Sequence, residues 1–192
     1  MILQNQIYVM RHGESVNNVL GVESCRFETQ TQFGLTDDGR AQVVATGHGA
    51  PQFDIVYSSP FRRAIETAQI VTEQQNIELS IEHDLHEFKL PTELDQQPYE
   101  VAETIIHEPT NDINHTPLNG GESFDIMHER MKQALSAIDA RHENSTILLV
   151  SHGSPVEALI QIMKNKNTGF GPFEELPKNA EIIHLNSLNL IA

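Results

Sequence analysis

IYVMRHGESVNN, residues 7–18, begins as a short apolar run and breaks off into Arg11, His12 and Gly13. The run reads as a buried strand. Its end delivers a cation, an imidazole and a conformationally permissive backbone position together. The other elements are arranged around that strand end.

Further strand-like runs lie at 53–58 (FDIVYS), 77–81 (IELSI), 146–151 (TILLVS) and 180–185 (AEIIHL), besides IYVM at 7–10. Helical patterns fall between them. Thr36 reads as the N-cap of a helix through Val43, Val44 and Ala45. Ser59 reads as a cap followed by Pro60 at the first helical position, ahead of Ala64, Ile65, Ala68 and Val71. A longer helix from about Ser123 to His142 places Phe124, Met127, Met131, Leu135 and Ile138 on one face, and Ser154-Pro155 opens another through Leu159 and Met163. Strands alternating with helices predict an α/β fold with a mainly parallel sheet covered on both faces. Residues 89–121 interrupt the rhythm with prolines and carboxylates around one weak helix near Tyr99 to His107. They read as a cap-like insertion in a single domain spanning 1–192.

The totals bound the function. A chain of 192 residues buries roughly 70% of its unfolded surface and supports one domain. Hydrophobic residues at 39% and charged residues at 20% are ordinary for a globular protein, and no run reaches the ~20 apolar residues of a membrane span. The opening MILQNQIYVM has neither the basic start nor the cleavage site of a secretory signal, and Cys25 alone forms no internal disulfide, so a cytoplasmic location is expected. Twelve basic against 27 acidic residues give a net charge of -15, which disfavours nucleic acid and anionic membranes as partners. In so acidic a chain, a place where arginines gather with histidines points to an anion.

Such a place follows from topology. Ligands of an open parallel sheet bind beyond the carboxyl ends of its strands, where helix N-termini and loop N–H groups face outward. The four loops leaving that edge carry Arg11-His12-Gly13, Ser58-Ser59-Pro60-Phe61-Arg62-Arg63, Leu85-His86-Glu87 and His152-Gly153-Ser154. Taken singly, each has a plain structural reading: a polar strand end, a solvated helix start, a surface carboxylate, a strand-to-helix turn. Cations at a helix start nevertheless oppose the helix dipole, and bound anion would compensate. The joint set suits phosphoryl transfer to an imidazole. His12 can attack phosphorus while Arg11, Arg63 and a cationic His152 offset charge on the equatorial oxygens, Glu87 protonates the leaving oxygen, and the N–H of Gly153 or Ser154 adds an anion donor.

These residues and their order resemble the histidine phosphatase superfamily, the phosphoglycerate-mutase-like proteins. The hallmark is Arg11-His12-Gly13-Glu14-Ser15. The similarity continues through Asn18, Leu35-Thr36-Asp37-Asp38-Gly39, Ser58 to Ala68, Gly120-Gly121-Glu122-Ser123 and Ser151-His152-Gly153. The resemblance implies a three-layer α/β/α sandwich with a mostly parallel sheet. It implies phosphorylation at His12, a phosphate pocket of Arg11, Arg63 and His152, Glu87 as proton donor and Asn18 as a further phosphate contact, with Arg62 outside the pocket. Ser24 falls near where the family places a small substrate-contacting residue, but a solvated loop serine is the reading preferred over that contact. No cofactor or metal is implied, and His83-x-x-His86-Glu87 reads as the acid loop because it lacks the helical i, i+4 histidine pair of a zinc site. Family mutases often carry a tryptophan before the asparagine, whereas this chain has Asn17 and no tryptophan. Residues 20–33 and 89–119 match little that is specific, which leaves substrate choice open.

A metal-independent phosphatase of the histidine acid type is therefore expected, a monomer or homodimer acting on a small phosphorylated metabolite. Water must reach phosphorylated His12 for hydrolysis, whereas a mutase re-donates the group from a site closed by longer insertions and a C-terminal tail. Phosphoglycerate mutase is the first alternative. A protein phosphohistidine phosphatase and a silent binding module follow it.

Overall fold

The computed structural model describes residues 1–106, 108, 111–165 and 176–191. Among them, β1 (Gln6–Arg11), β2 (Ile55–Ser58), β3 (Leu79–Ile81), β4 (Thr146–Ser151) and β5 (Ile182–His184) form one sheet in the order β3-β2-β4-β1-β5. The first four strands are parallel and β5 runs antiparallel to β1. Helices α1 (Val16–Leu20), α2 (Asp37–Gly49), α3 (Arg62–Gln75), α4 (Tyr99–Ile106), α5 (Phe124–Ala140) and α6 (Gly153–Met163) occur in chain order between them.

Strand alternation explains the layers. Ile7 and Val9 of β1 and Ile147 and Leu149 of β4 enter one core with Met127, Met131, Leu135 and Ile138 of α5 and Val156 and Leu159 of α6. Met10, Leu148 and Val150 point the other way, against Val43 of α2 and Ala64, Ala68 and Val71 of α3. With successive side chains on opposite faces, the continuous apolar runs of β1 and β4 are what a sheet covered on both sides needs. The protein is the expected three-layer α/β/α sandwich.

Local signals set the ends. Thr36 Oγ1 accepts the Gly39 N–H at 2.9 Å and Ser123 Oγ accepts the Ile126 N–H at 3.3 Å, so both expected N-caps are made. The expected start of α3 is not: Phe61 is its N-cap, and Pro60 precedes the helix. Ser59 turns its hydroxyl to other partners. β5 begins later than the sequence suggests because the Ala180 N–H is occupied by the carbonyls of Arg11 and His12, at 3.0 and 3.2 Å. The weak helix of the 89–121 segment runs from Tyr99 to Ile106, and its expected last residue, His107, lies outside the described residues. Leu90, Leu94, Ala102 and Ile113 anchor that segment to the α5 side of the core. No helix among the described residues is long and apolar enough to cross a membrane.

Candidate active site

Sheet register brings the expected loops to one rim. Arg11 is level with Ser151 and Ser58 with Val150, so His12, Ser59 and His152 leave the sheet side by side. The His12 N–H prolongs the ladder to Ser151 O at 3.0 Å, which fixes the backbone under the imidazole. Gly13 serves close packing: a Cβ there would lie 2.6 Å from Gly39 O and 2.7 Å from Val43 Cγ2, so only glycine lets the loop rest on α2.

Two hydrogen bonds settle the His12 tautomer. Nδ1 lies 2.7 Å from Gly13 O, an acceptor, and therefore carries the proton. Nε2 accepts from Arg63 Nε at 3.0 Å and therefore carries no proton, its one lone pair being held by that contact until a substrate replaces it. Burial to 2% exposure, then Arg63 and Arg11, hold the imidazole pKa well below the ordinary histidine range. The ring is neutral and aimed.

Arg63, itself 2% exposed, also donates to Ser24 Oγ at 3.0 Å and to Ser24 O at 2.8 Å. Ser24 is thus a buried anchor for the guanidinium, which overturns the solvated-loop reading. Arg62 turns away to Glu66, 2.7 Å distant, and that carboxylate also takes Arg40 and the Leu35 N–H. The cation at the start of α3 that faces solvent is neutralised locally, and the one facing inward is not. Arg11 donates to Pro177 O at 2.8 Å, while its buried Nε has no hydrogen-bond partner among the described residues.

His152 is 0% exposed, with its ring centroid 5.2 Å from that of His12. Its Nε2 shares a 2.7 Å hydrogen bond with Ser59 Oγ, and its Nδ1 has no hydrogen-bond partner among the described residues. Burial, then Arg63, push its pKa well below the ordinary range, so the expected standing cation is corrected to a neutral ring. A phosphoryl dianion nearby is what would recharge it. The sequence expects Ser59 to cap a helix, and its side chain instead bonds this histidine.

Glu87 Oε2 lies 3.9 Å from His152 Nδ1, and Glu87 Oε1 accepts the Phe88 N–H at 2.8 Å. The side chain is 19% exposed, and burial raises its pKa above the usual carboxyl range despite Arg63 and Arg11. Its loop is clamped from behind. Arg130 Nη1 donates to the carbonyls of Asp84 and His86 at 2.6 and 3.1 Å, while Nε and Nη2 bind Glu122 at 2.9 Å each. Arg130 carries no motif of its own, and only its spacing of eight from Glu122 on the α5 face offers a signal in the sequence.

Asn18 accepts the Ser15 N–H and donates through Nδ2 to Tyr99 Oη at 3.1 Å. Gly153 and Ser154 lie at the start of α6, whose first-turn N–H groups open toward the same space. Arg11, His12, Asn18, Ser24, Arg63, Glu87 and Gly153 all line one cavity of about 360 Å³, which also takes in Glu23, Tyr99 and Glu103. Those three were not singled out from the sequence. Tyr99 and Glu103 belong to the weak helix of the 89–121 segment, which carries no motif, and Glu23 to a stretch without periodic pattern. No group of three or more His, Cys, Asp or Glu side chains among the described residues is arranged to hold a metal ion.

A doubly covered parallel sheet whose carboxyl edge aims a neutral imidazole between two guanidinium groups defines an α/β protein built to handle a phosphoryl group. The chain belongs to the histidine phosphatase superfamily, branch 1, whose family model matches residues 7–187. It is 28% identical to phosphoserine phosphatase 1 of Hydrogenobacter thermophilus over 80% of this chain and 74% of that one. It is 32% identical to phosphoglycerate mutase-like protein 4 of Arabidopsis thaliana over 81% of this chain and 70% of that one. In structure it is similar to Bacillus stearothermophilus YhfR, with a TM-score of 0.81 at 23% identity over 93% and 89% of the two chains. A mycobacterial glucosyl-3-phosphoglycerate phosphatase gives 0.77 at 22% identity over 92% and 88%. At such identities the structural likeness bears on the fold.

Proposed function

We propose that the protein is a phosphatase that hydrolyses small phosphomonoesters through a phosphohistidine on His12, without a metal ion. The observation that carries this is the His12 tautomer, a neutral ring with Nε2 free of a proton and braced by Arg63. Nε2 attacks phosphorus and forms the N–P bond as the P–O bond to the alcohol breaks. Protonated Glu87 gives its proton to the departing oxygen. Glu87, now a carboxylate, takes a proton from water; the resulting hydroxide attacks phosphorus, and the N–P electron pair returns to Nε2. Arg11, Arg63, His152 and the N–H groups of Gly153 and Ser154 balance charge on the phosphoryl oxygens, with Asn18 as a further contact. A nucleophile that stays neutral at low pH and an acid that stays protonated favour operation on the acid side. Residues 89–121 act as a cap over the site within a single domain.

The 32% identity to a phosphoglycerate mutase-like protein favours phosphoryl transfer as a second reading. Against it, the cations lining the cavity among the described residues are Arg11 and Arg63, both acting on His12, and the same lining carries Glu23, Glu87 and Glu103. A phosphoglycerate carboxylate would meet like charge there.

Rapid acid-free quenching with labelled aryl phosphate tests the proposal. The expected result is a base-stable, acid-labile adduct on the peptide containing His12, full activity in chelator, and no label in His12→Ala. Activity restored only by a divalent ion, or label on His152, would overturn it.

A further inference from the structure

Glu87 lies outside every strand and helix of the described residues, just past the short 3-10 turn His83–Leu85. No ladder holds the acid in place, and the peptide groups around it are met one by one by side chains. Arg130 Nη1 donates to the carbonyls of Asp84 and His86 at 2.6 and 3.1 Å, and Ser151 Oγ donates to the one between them, Leu85 O, at 2.7 Å. His86 Nδ1 lies 2.7 Å from Glu87 O and carries the proton of that bond. Beyond the acid, Glu122 Oε2 accepts the Lys89 N–H at 3.1 Å, and the Glu122 N–H donates to Lys89 O at 2.7 Å.

The direction of the carboxyl group follows from these bonds. The peptide joining Glu87 to Phe88 is fixed by its carbonyl on His86, and its N–H holds Glu87 Oε1 at 2.8 Å. The stronger acceptor of a protonated carboxyl group is its carbonyl oxygen, so Oε1, which accepts, leaves the proton to Oε2. Oε2 is the atom 3.9 Å from His152 Nδ1. Arg130 itself cannot swing, because Nε and Nη2 bind the two oxygens of Glu122 at 2.9 Å each, with the side chains 11% and 10% exposed. Desolvation offsets most of the attraction in so buried a pair, which makes it a poor device for stability alone. What the paired fork supplies is direction: two bonds on one side of the guanidinium set where Nη1 meets the two loop carbonyls on the other.

We propose that Arg130, held in register by Glu122, is a positioning residue for proton transfer, fixing the loop so that Glu87 Oε2 meets the departing oxygen. This rests on the phosphatase reading above. Neither Arg130 nor Glu122 lines the cavity, so the pair acts through Glu87 and not on the substrate.

The test follows single-turnover phosphorylation of His12 from n-propyl phosphate, whose alkoxide needs a proton as it leaves, and from 4-nitrophenyl phosphate, whose phenolate does not. Arg130→Lys keeps the charge and loses the fork. Its rate with n-propyl phosphate should fall by about ten- to a hundredfold, the effect of a displacement near 1 Å, and its rate with the nitrophenyl ester by less than about threefold. Placed in Glu87→Gln, the same substitution should lower the n-propyl rate by less than about twofold further, because the group it aims is gone. Equal losses for the two esters, or losses that multiply in the double variant, would overturn the inference, since both mark a general weakening around the site. Should Arg130→Lys fail to fold, Glu122→Gln decides by the same comparisons, with a selective n-propyl loss of roughly two- to tenfold for one weakened contact. Amide hydrogen exchange needs no turnover. Protection of the Phe88 and Lys89 N–H groups should drop by about tenfold or more in Arg130→Lys while β1 and β4 keep theirs. A wild type that is phosphorylated by neither ester refutes the phosphatase reading, and with it the role of the pair, whereas unchanged exchange at Phe88 and Lys89 overturns the clamp alone.

Discussion

The two ends of the cavity are built by different means. At the phosphoryl end His12, Arg63 and His152 are buried, and their loops leave adjacent parallel strands whose register fixes them. The rest of the lining that holds Glu23 and Tyr99 comes from the 21–25 loop and the chain entering α4, knitted to each other: Val22 bridges Pro98, Tyr99 N donates to Gly21 O, and the Cys25 N–H reaches Asp95. The first end is held by the sheet and the core, the second by loop-to-loop hydrogen bonds. Chemistry that tolerates little displacement therefore sits on the rigid element, and selection of the alcohol part sits where sequence can vary without disturbing the fold. Substitutions at the phosphoryl end should act on kcat, and those at the loop end on KM.

The largest effect is expected at Glu87, where the two ends meet. An alkoxide needs protonation as it leaves far more than a nitrophenolate does. Glu87→Gln should thus lower kcat for alkyl monoesters by ~10² to 10⁴ and for nitrophenyl phosphate by less than about tenfold. The pH profile gives a second readout. In the proposed mechanism activity requires neutral His12, whose pKa burial lowers, and protonated Glu87, whose pKa burial raises. The wild-type acid limb should therefore lie below the ordinary histidine range and the alkaline limb above the ordinary carboxyl range, with only the alkaline limb lost in Glu87→Gln. Equal losses for both leaving groups would transfer the acid role elsewhere. Glu122 is engaged by Arg130, Glu82 by Arg141, and Glu93 is exposed, so the role would pass to Glu23, which lines the same cavity and whose pKa burial pushes up to about 8.

Arg63→Lys sharpens the comparison from the buried side. Lysine keeps the charge and loses the fork that reaches His12 Nε2 and both Ser24 oxygens at once. Loss of one preorganised donor predicts a fall in kcat of ~10² to 10³. Single-turnover labelling should locate that fall in formation of the phosphoenzyme. A change confined to KM would mean that this end binds ground state and transition state alike.

Legibility in the sequence follows the same division. His12, Arg63, Glu87 and His152 could be placed together because each follows a recognisable strand, and parallel strands share one carboxyl edge whatever their loops contain. The layers were readable for the same reason, since apolar runs without alternation mark strands covered on both faces. Ser59 misled because a serine before a proline is a local helix-start signal, and a 2.7 Å bond to His152 across the sheet outranks it. Glu23 carries no signal and Tyr99 reads only as the start of a weak helix: that they meet depends on how the 21–25 loop pairs with the chain entering α4, which no spacing encodes. The neutral state of His152 was equally hidden, because charge at a buried ring is decided by burial and by Arg63.

The smallest effect is expected at Tyr99→Phe, and it probes the seam between the ends. Tyr99 Oη accepts from Asn18 Nδ2 at 3.1 Å and from Asn17 Nδ2 at 3.4 Å, tying the start of α4 to α1, which carries the proposed phosphate contact Asn18. Asn18 is oriented independently by the Ser15 N–H, and its Oδ1 stays in place when the phenol is removed. The phenylalanine ring would still fill the wall. What disappears is one shared acceptor, worth ~0.5 to 1.5 kcal/mol, so KM for a small monoester should rise by roughly two- to tenfold. The rate of His12 phosphorylation at saturating substrate should not change, because no strand-end residue moves. If that rate fell as steeply as in Arg63→Lys, Tyr99 would belong to the phosphoryl end, and the loops would hold the reacting geometry that is here attributed to the sheet.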